Sequence, residues 1–233
     1  MKKHWKVLSA ITLATILATA CGSGEVEKKV GGGDQTGYET PGENGKEVIN
    51  DEVVKTDLQF SDGYYTFTMT NTSDKDIVFT IPSSQEYEYQ LKDKAGEVVY
   101  TYSMDKMFLL MISEKTIAAG DSYQMNIDVE IFPTLQADTY ILEVWSMATE
   151  AENLSAKMEI TLEEVGSNVE GEYVGQIDNN SVEIIDADGN PKAYRLTASS
   201  KELVELLETD AKVSYSYFKQ NEQLFLTTIH SLQ

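Results

Sequence analysis

Few side chains in this sequence are equipped for bond-making chemistry. Its 233 residues include one cysteine, Cys21, two histidines, His4 and His230, and one arginine, Arg195, against 39 aspartates and glutamates. A serine or cysteine nucleophile needs an imidazole beside it. His4 sits at the start of the chain and His230 near its end, so neither a Ser-His-Asp nor a Cys-His system has material to draw on. Zinc sites built from His and Cys fail for the same reason. A single arginine makes no phosphate clamp. Carboxylates remain, and paired carboxylates hydrolyse glycosidic bonds, but among so many acids no pair is set apart by spacing. Asp186-Ala187-Asp188-Gly189-Asn190 invites a calcium reading, yet it lacks the glycine at the sixth position and the glutamate at the twelfth that an EF-hand loop uses. Asp-Gly there reads as a hairpin turn. These residues predict no enzyme, no metal and no cofactor, with a cell-wall-active hydrolase the most distant alternative.

Cys21 points to a different chemistry. Lys2, Lys3 and Lys6 precede an apolar run over residues 7–17 that is too short to span a bilayer. The run ends in Leu17-Ala18-Thr19-Ala20-Cys21, which resembles the lipobox of bacterial lipoprotein precursors. The resemblance implies a signal peptide over residues 1–20 and a diacylglycerol thioether on Cys21, with an N-acyl chain completing a stable anchor. Residues 21–46, rich in Gly, Glu, Lys and Thr, read as a flexible tether. The predicted location is the outer face of the cytoplasmic membrane. With the only cysteine assigned to lipid, the fold has no intramolecular disulfide.

Charge narrows the partners. The formal net charge of −21 becomes about −24 once the three lysines of the signal are removed, a surface that repels nucleic acid. The expected partners are the membrane, through Cys21, and a protease or other envelope protein.

Two modules follow the tether. Residues 47–165 carry short alternating runs at 64–70, 77–81, 86–92, 98–102, 123–131, 140–147 and 156–162, bounded by turn formers such as Asn71-Thr72-Ser73-Asp74 and Lys94-Ala95-Gly96. Seven short strands predict an Ig-like antiparallel β-sandwich. The strand around 140–147 has no fully polar face, which places it inside a sheet. Residues 169–233, after Val165-Gly166-Ser167-Asn168, carry strands at 173–177, 181–185, 192–196, 212–218 and 224–229. A helix over Leu203, Leu206 and Leu207, capped by Ser199 and Glu202, lies between the third and fourth. That order predicts a small OB-like or SH3-like barrel, so the fold class is all-β. An outward-facing barrel whose acidic residues outnumber its basic ones has no use for oligonucleotides, and fold alone assigns no function.

In the first module, Asn71-Thr72-Ser73, Ser84-Gln85-Glu86-Tyr87-Glu88-Tyr89, the segment from Gly96 to Ser103, Met107-Phe108, Ile117-Ala118-Ala119-Gly120-Asp121 and Ala137-Asp138-Thr139-Tyr140 recur in an order that resembles the intracellular proteinase inhibitor family, the BsuPI domain. The resemblance covers residues 57–147. It implies inhibition of a subtilisin-like serine protease, which for an exported chain would be an extracytoplasmic one. The chain departs from the family pattern at Glu88, near Tyr100 and Tyr102, at Asp105 and at Leu109-Leu110, and the changed stretch 100–110 is itself a contact-surface candidate.

Two readings of residues 103–115 follow. Met104, Met107, Phe108, Leu109, Leu110 and Met111 form either a loop that enters a protease cleft or a plug that crosses the sandwich and buries its own side chains, and composition favours the plug. Tyr64, Tyr65, Tyr87, Tyr89, Tyr100 and Tyr102 likewise form either a binding surface or half-buried cross-strand pairs, with the pairs favoured. The sequence therefore predicts a membrane-tethered, non-catalytic protein-binding module, with inhibition of an extracytoplasmic subtilisin-like protease as the alternative.

Overall fold

The computed structural model describes residues 49–151 and 153–232. The predicted signal (1–20), Cys21 and the predicted tether (21–46) lie outside the described residues. The described chain is mainly β, with fourteen strands and one α-helix.

Nine strands build the first module: β1 (Val54–Ser61), β2 (Tyr64–Asn71), β3 (Ile77–Ile81), β4 (Tyr87–Lys92), β5 (Val98–Thr101), β6 (Ser113–Ile117), β7 (Ser122–Ile127), β8 (Thr139–Ser146) and β9 (Ser155–Thr161). They pair in the orders β1-β2-β7, β3-β6 and β5-β4-β8-β9, every pairing antiparallel. Strand alternation explains the core. Tyr65, Phe67 and Met69 point inward from β2, as Tyr140, Leu142 and Val144 do from β8, and together with Phe79, Leu91 and Ile160 they form one apolar cluster. β8 lies between β4 and β9, as its two-sided apolar pattern predicts.

Two of these strands were not expected from the sequence. β1 buries only Val54 and Leu58, and β6 only Ile117, so neither shows the dense alternation that marks a strand. Tertiary pairing with β2 and β3 makes them strands. The β1–β2 turn is Asp62-Gly63 with both φ positive, the geometry that a two-residue hairpin demands.

The second module is a closed barrel of β10 (Glu164–Asp178), β11 (Ser181–Asp186), β12 (Pro191–Leu196), β13 (Ala211–Gln220) and β14 (Gln223–Ser231), in the order β10-β11-β12-β14-β13 with β12 and β14 parallel. This is an OB-like arrangement. The helix α1 (Ala198–Val204) sits between β12 and β13. Its cap is Thr197 paired with Ser200, not Ser199 with Glu202, because the Thr197 hydroxyl also donates to the Leu226 carbonyl and ties the helix start to β14. Val204 is the buried apolar residue of the helix, and Leu206 lies beyond its end, exposed. The stretch 165–168 belongs to β10, with a bulge between Gly166 and Val169, so the chain passes from sandwich to barrel with only Leu162 and Glu163 outside the strands.

Sandwich and barrel form one compact unit. Phe218 of β13 and Phe225 of β14 belong to the sandwich's apolar cluster, not the barrel's. Phe225 meets Phe60 edge-on at 5.2 Å and Phe218 meets Phe132 at 5.3 Å, while the Tyr65 hydroxyl donates to Gln220. Asp62 pairs with Arg195 across the junction at 3.0 Å.

Candidate functional site

The expected plug is not one. Met104, Met107, Leu109, Leu110, Met111 and Ile112 are all exposed, Met107 fully and Leu110 to 96%, so the stretch between β5 and β6 projects its apolar side chains into solvent. Soluble domains rarely leave a contiguous apolar surface uncovered without a use for it.

The backbone behind those side chains is held at several points. A short 3-10 turn, Tyr102–Asp105, leads out of β5. Glu88 on β4, 7% exposed, accepts the Ser103 amide at 3.1 Å and its neighbour Tyr89's amide at 3.0 Å on one carboxylate oxygen, and Gln85 Nε2 at 3.1 Å on the other. Lys106 donates to Asp128 at 2.8 Å and lies over the Tyr102 ring. Burial works against its charge, but the hydrogen bond and charge of Asp128 outweigh it and hold the ammonium more firmly protonated than usual. Phe108, half-buried, leans on Tyr102 with ring centres 6.0 Å apart. Ser84 closes the clamp: its amide donates to the Leu109 carbonyl and its hydroxyl accepts the Leu109 amide, both at 2.9 Å. Past the loop, Lys115 pairs with Glu86 at 3.3 Å, and Glu86 also accepts the Tyr123 hydroxyl.

The four tyrosines weighed as an aromatic surface form the wall behind this loop. Tyr89 is 1% exposed and Tyr87, Tyr100 and Tyr102 are half-buried, so they are not an open platform. Tyr102 stacks on Tyr87 at 5.0 Å and on Tyr89 at 5.2 Å, and Tyr100 tilts against Tyr89 at 5.7 Å. Burial pushes the hydroxyls of Tyr87 and Tyr89 well above the usual phenol range, so both stay neutral, and Tyr87 accepts the Asp128 amide at 3.0 Å. Tyr65 is buried at the module junction, and Tyr64 lies under Lys201.

The arrangement is a support, the Tyr87-Tyr89-Tyr102 stack with Glu88 and Ser84, carrying an irregular segment whose side chains at 107 and 109–112 stand in solvent. Composition had marked the apolar residues of this segment. It gave no sign of Ser84, Glu88 and Asp128 as their supports, because a short polar side chain in a strand or loop announces no partner.

Elsewhere, Asp186 accepts the amides of Asp188 and Asn190 and pairs with Lys192, the pattern of a self-contained hairpin turn. Among the described residues no group of three His, Cys, Asp or Glu is placed to hold a metal ion.

Comparison with known families finds two similarities. Residues 62–151 match the family described as intracellular proteinase inhibitor, BsuPI, and residues 167–230 match the LytA beta-barrel domain. The first match spans the whole of the loop and its supports. No curated protein matches the chain.

Proposed function

We propose that this chain is a non-catalytic protein-binding module that inhibits a subtilisin-like serine protease outside the cytoplasm, held at the membrane surface by lipid on Cys21. The observation that carries the reading is the segment 104–112: an anchored backbone with exposed apolar side chains, inside a stretch similar to a proteinase inhibitor family. A subtilisin-like cleft binds an extended segment through backbone pairing and accepts large apolar side chains in its pockets. Resistance to turnover requires that the segment lose little freedom on binding and spring back if cut, which the Glu88, Ser84 and Asp128 contacts provide. Met107 and Leu110, the most exposed residues of the segment, are the pocket-filling side chains on this reading.

The test is a titration of the chain from residue 21, carrying Cys21→Ser so that no lipid is attached, into secreted subtilisin-like proteases while substrate cleavage is followed. Stoichiometric loss of activity with the chain intact afterwards is expected. Rapid cleavage within 104–112 without inhibition would make the segment a substrate and overturn the reading.

A further inference from the structure

The seven methionines among the described residues are not distributed evenly between core and surface. Met69 and Met125 are buried in the sandwich, Met147 and Met158 are half-buried, and the exposed methionines among the described residues are Met104 at 77%, Met107 at 100% and Met111 at 55%, all within the contact segment. A thioether is the side chain there that a mild oxidant attacks, since the segment's other apolar residues are Phe, Leu and Ile, which peroxide leaves alone.

We propose that Met104, Met107 and Met111 are a modification site that makes the contact segment an oxidation-sensitive switch, a regulation that rests on the inhibitor reading above. The oxidant is a peroxide. The thioether sulfur attacks one peroxide oxygen, the O–O bond breaks, the sulfur is oxidised by two electrons to a sulfoxide, and the peroxide is reduced to water or, for an organic peroxide, to the alcohol. Each event replaces an apolar, flexible side chain by a polar one at the surface meant to enter a dry pocket. The supports are untouched, because Glu88, Ser84, Asp128 and the tyrosine wall contain no sulfur. Oxidation therefore removes binding without unfolding the domain, and reduction of the sulfoxides restores it.

The experiment treats the chain from residue 21, with Cys21→Ser, with hydrogen peroxide, locates the added oxygen by peptide mass, and repeats the protease titration. One oxygen is expected first at each of Met104, Met107 and Met111, with Met69 and Met125 unmodified. Inhibition should weaken about tenfold or more, the order of effect of losing one buried methionine side chain. Restoration by methionine sulfoxide reductase is expected. So is insensitivity of the triple variant Met104→Leu, Met107→Leu, Met111→Leu, whose inhibition constant, at whatever value it starts, should not change on treatment. Oxygen arriving first at Met147 or Met158, or full potency of the chain oxidised in its loop, would overturn the switch alone. An untreated chain that inhibits no protease would overturn the inhibitor reading, and the switch with it.

Discussion

Leu110 and Glu88 separate contact from support at the level of single residues. Leu110 is nearly free of the rest of the molecule, so Leu110→Asp should leave the thermal midpoint within about 1 °C, as surface changes without partners do. The same change should weaken protease inhibition by about thirtyfold or more, since an apolar anchor at the centre of an interface contributes about 2 kcal/mol or more. Unchanged inhibition by Leu110→Asp would move the contact away from this segment. Glu88 is the reverse case. Its carboxylate accepts the amides of Tyr89 and Ser103 and the Gln85 side chain, and Glu88→Ala leaves those donors without it in a buried site. A cost of about 2–4 kcal/mol to stability follows. Because Ser103 begins the contact segment, the freed backbone should also exchange its amide hydrogens faster at 103–109. Exchange as slow as in the unaltered chain would show that Ser84 and Lys106 hold the segment alone.

Elements in this fold depend on spacing that only small or charged residues satisfy. Gly166, in the bulge of β10, lies against the Tyr217 ring, and a Cβ at Gly171 would come within 2.7 Å of the Ile185 carbonyl oxygen. Gly171→Ala should therefore displace backbone and cost about 1–3 kcal/mol, measured by denaturant unfolding, whereas Gly189→Ala meets no atom and pays only for its positive φ. On the sandwich, Glu143 of β8 bridges Lys92 of β4 at 2.7 Å and Lys157 of β9 at 3.0 Å. Partial burial pushes its carboxyl up, but the two lysines together hold it below the ordinary value near 4.5. A depressed folded value means that the contribution is present above the unfolded value and is lost as pH falls through the folded one. Glu143→Gln should flatten the loss of stability on going from about pH 6 to about pH 3, and equal slopes for the two proteins would show the bridge to be idle. The strands themselves were largely legible. Residues 64–70, 77–81, 181–185 and 192–196 were legible because each sets buried apolar residues two apart: Tyr65, Phe67 and Met69, Phe79 and Ile81, Val182 and Ile184, and Tyr194 and Leu196. β1 and β6 were not, since each has one or two core contacts and owes its pairing to a neighbour. The segment 104–112 was legible as apolar but not as exposed, because composition does not say to which side a loop turns its side chains.

Sandwich and barrel behave as one body, as the rings at their junction imply. Phe218 and Phe225 are carried by barrel strands yet are buried among sandwich residues, with Phe60, Tyr65 and Phe132 around them and the Asp62–Arg195 pair at 3.0 Å outside. Gly63, at the tip of the β1–β2 hairpin, fits against the Leu196 carbonyl and the Phe225 ring, where an added Cβ would stand 3.2 Å from each. Neither module can be withdrawn without exposing this aromatic cluster to water, so the free energy of each depends on the other. Calorimetry should show a single unfolding transition in place of two. Phe225→Ala, removing a barrel-borne ring buried in the sandwich core, should cost about 3–5 kcal/mol and lower that single transition by roughly 10 °C. Two transitions in the unaltered protein, with Phe225→Ala moving only the barrel's, would show that the modules meet without depending on each other. The distinction bears on function. A contact segment on a sandwich stiffened by its barrel loses less freedom on binding than one on a sandwich alone, so Phe225→Ala should also weaken inhibition although residue 225 is remote from the segment in sequence.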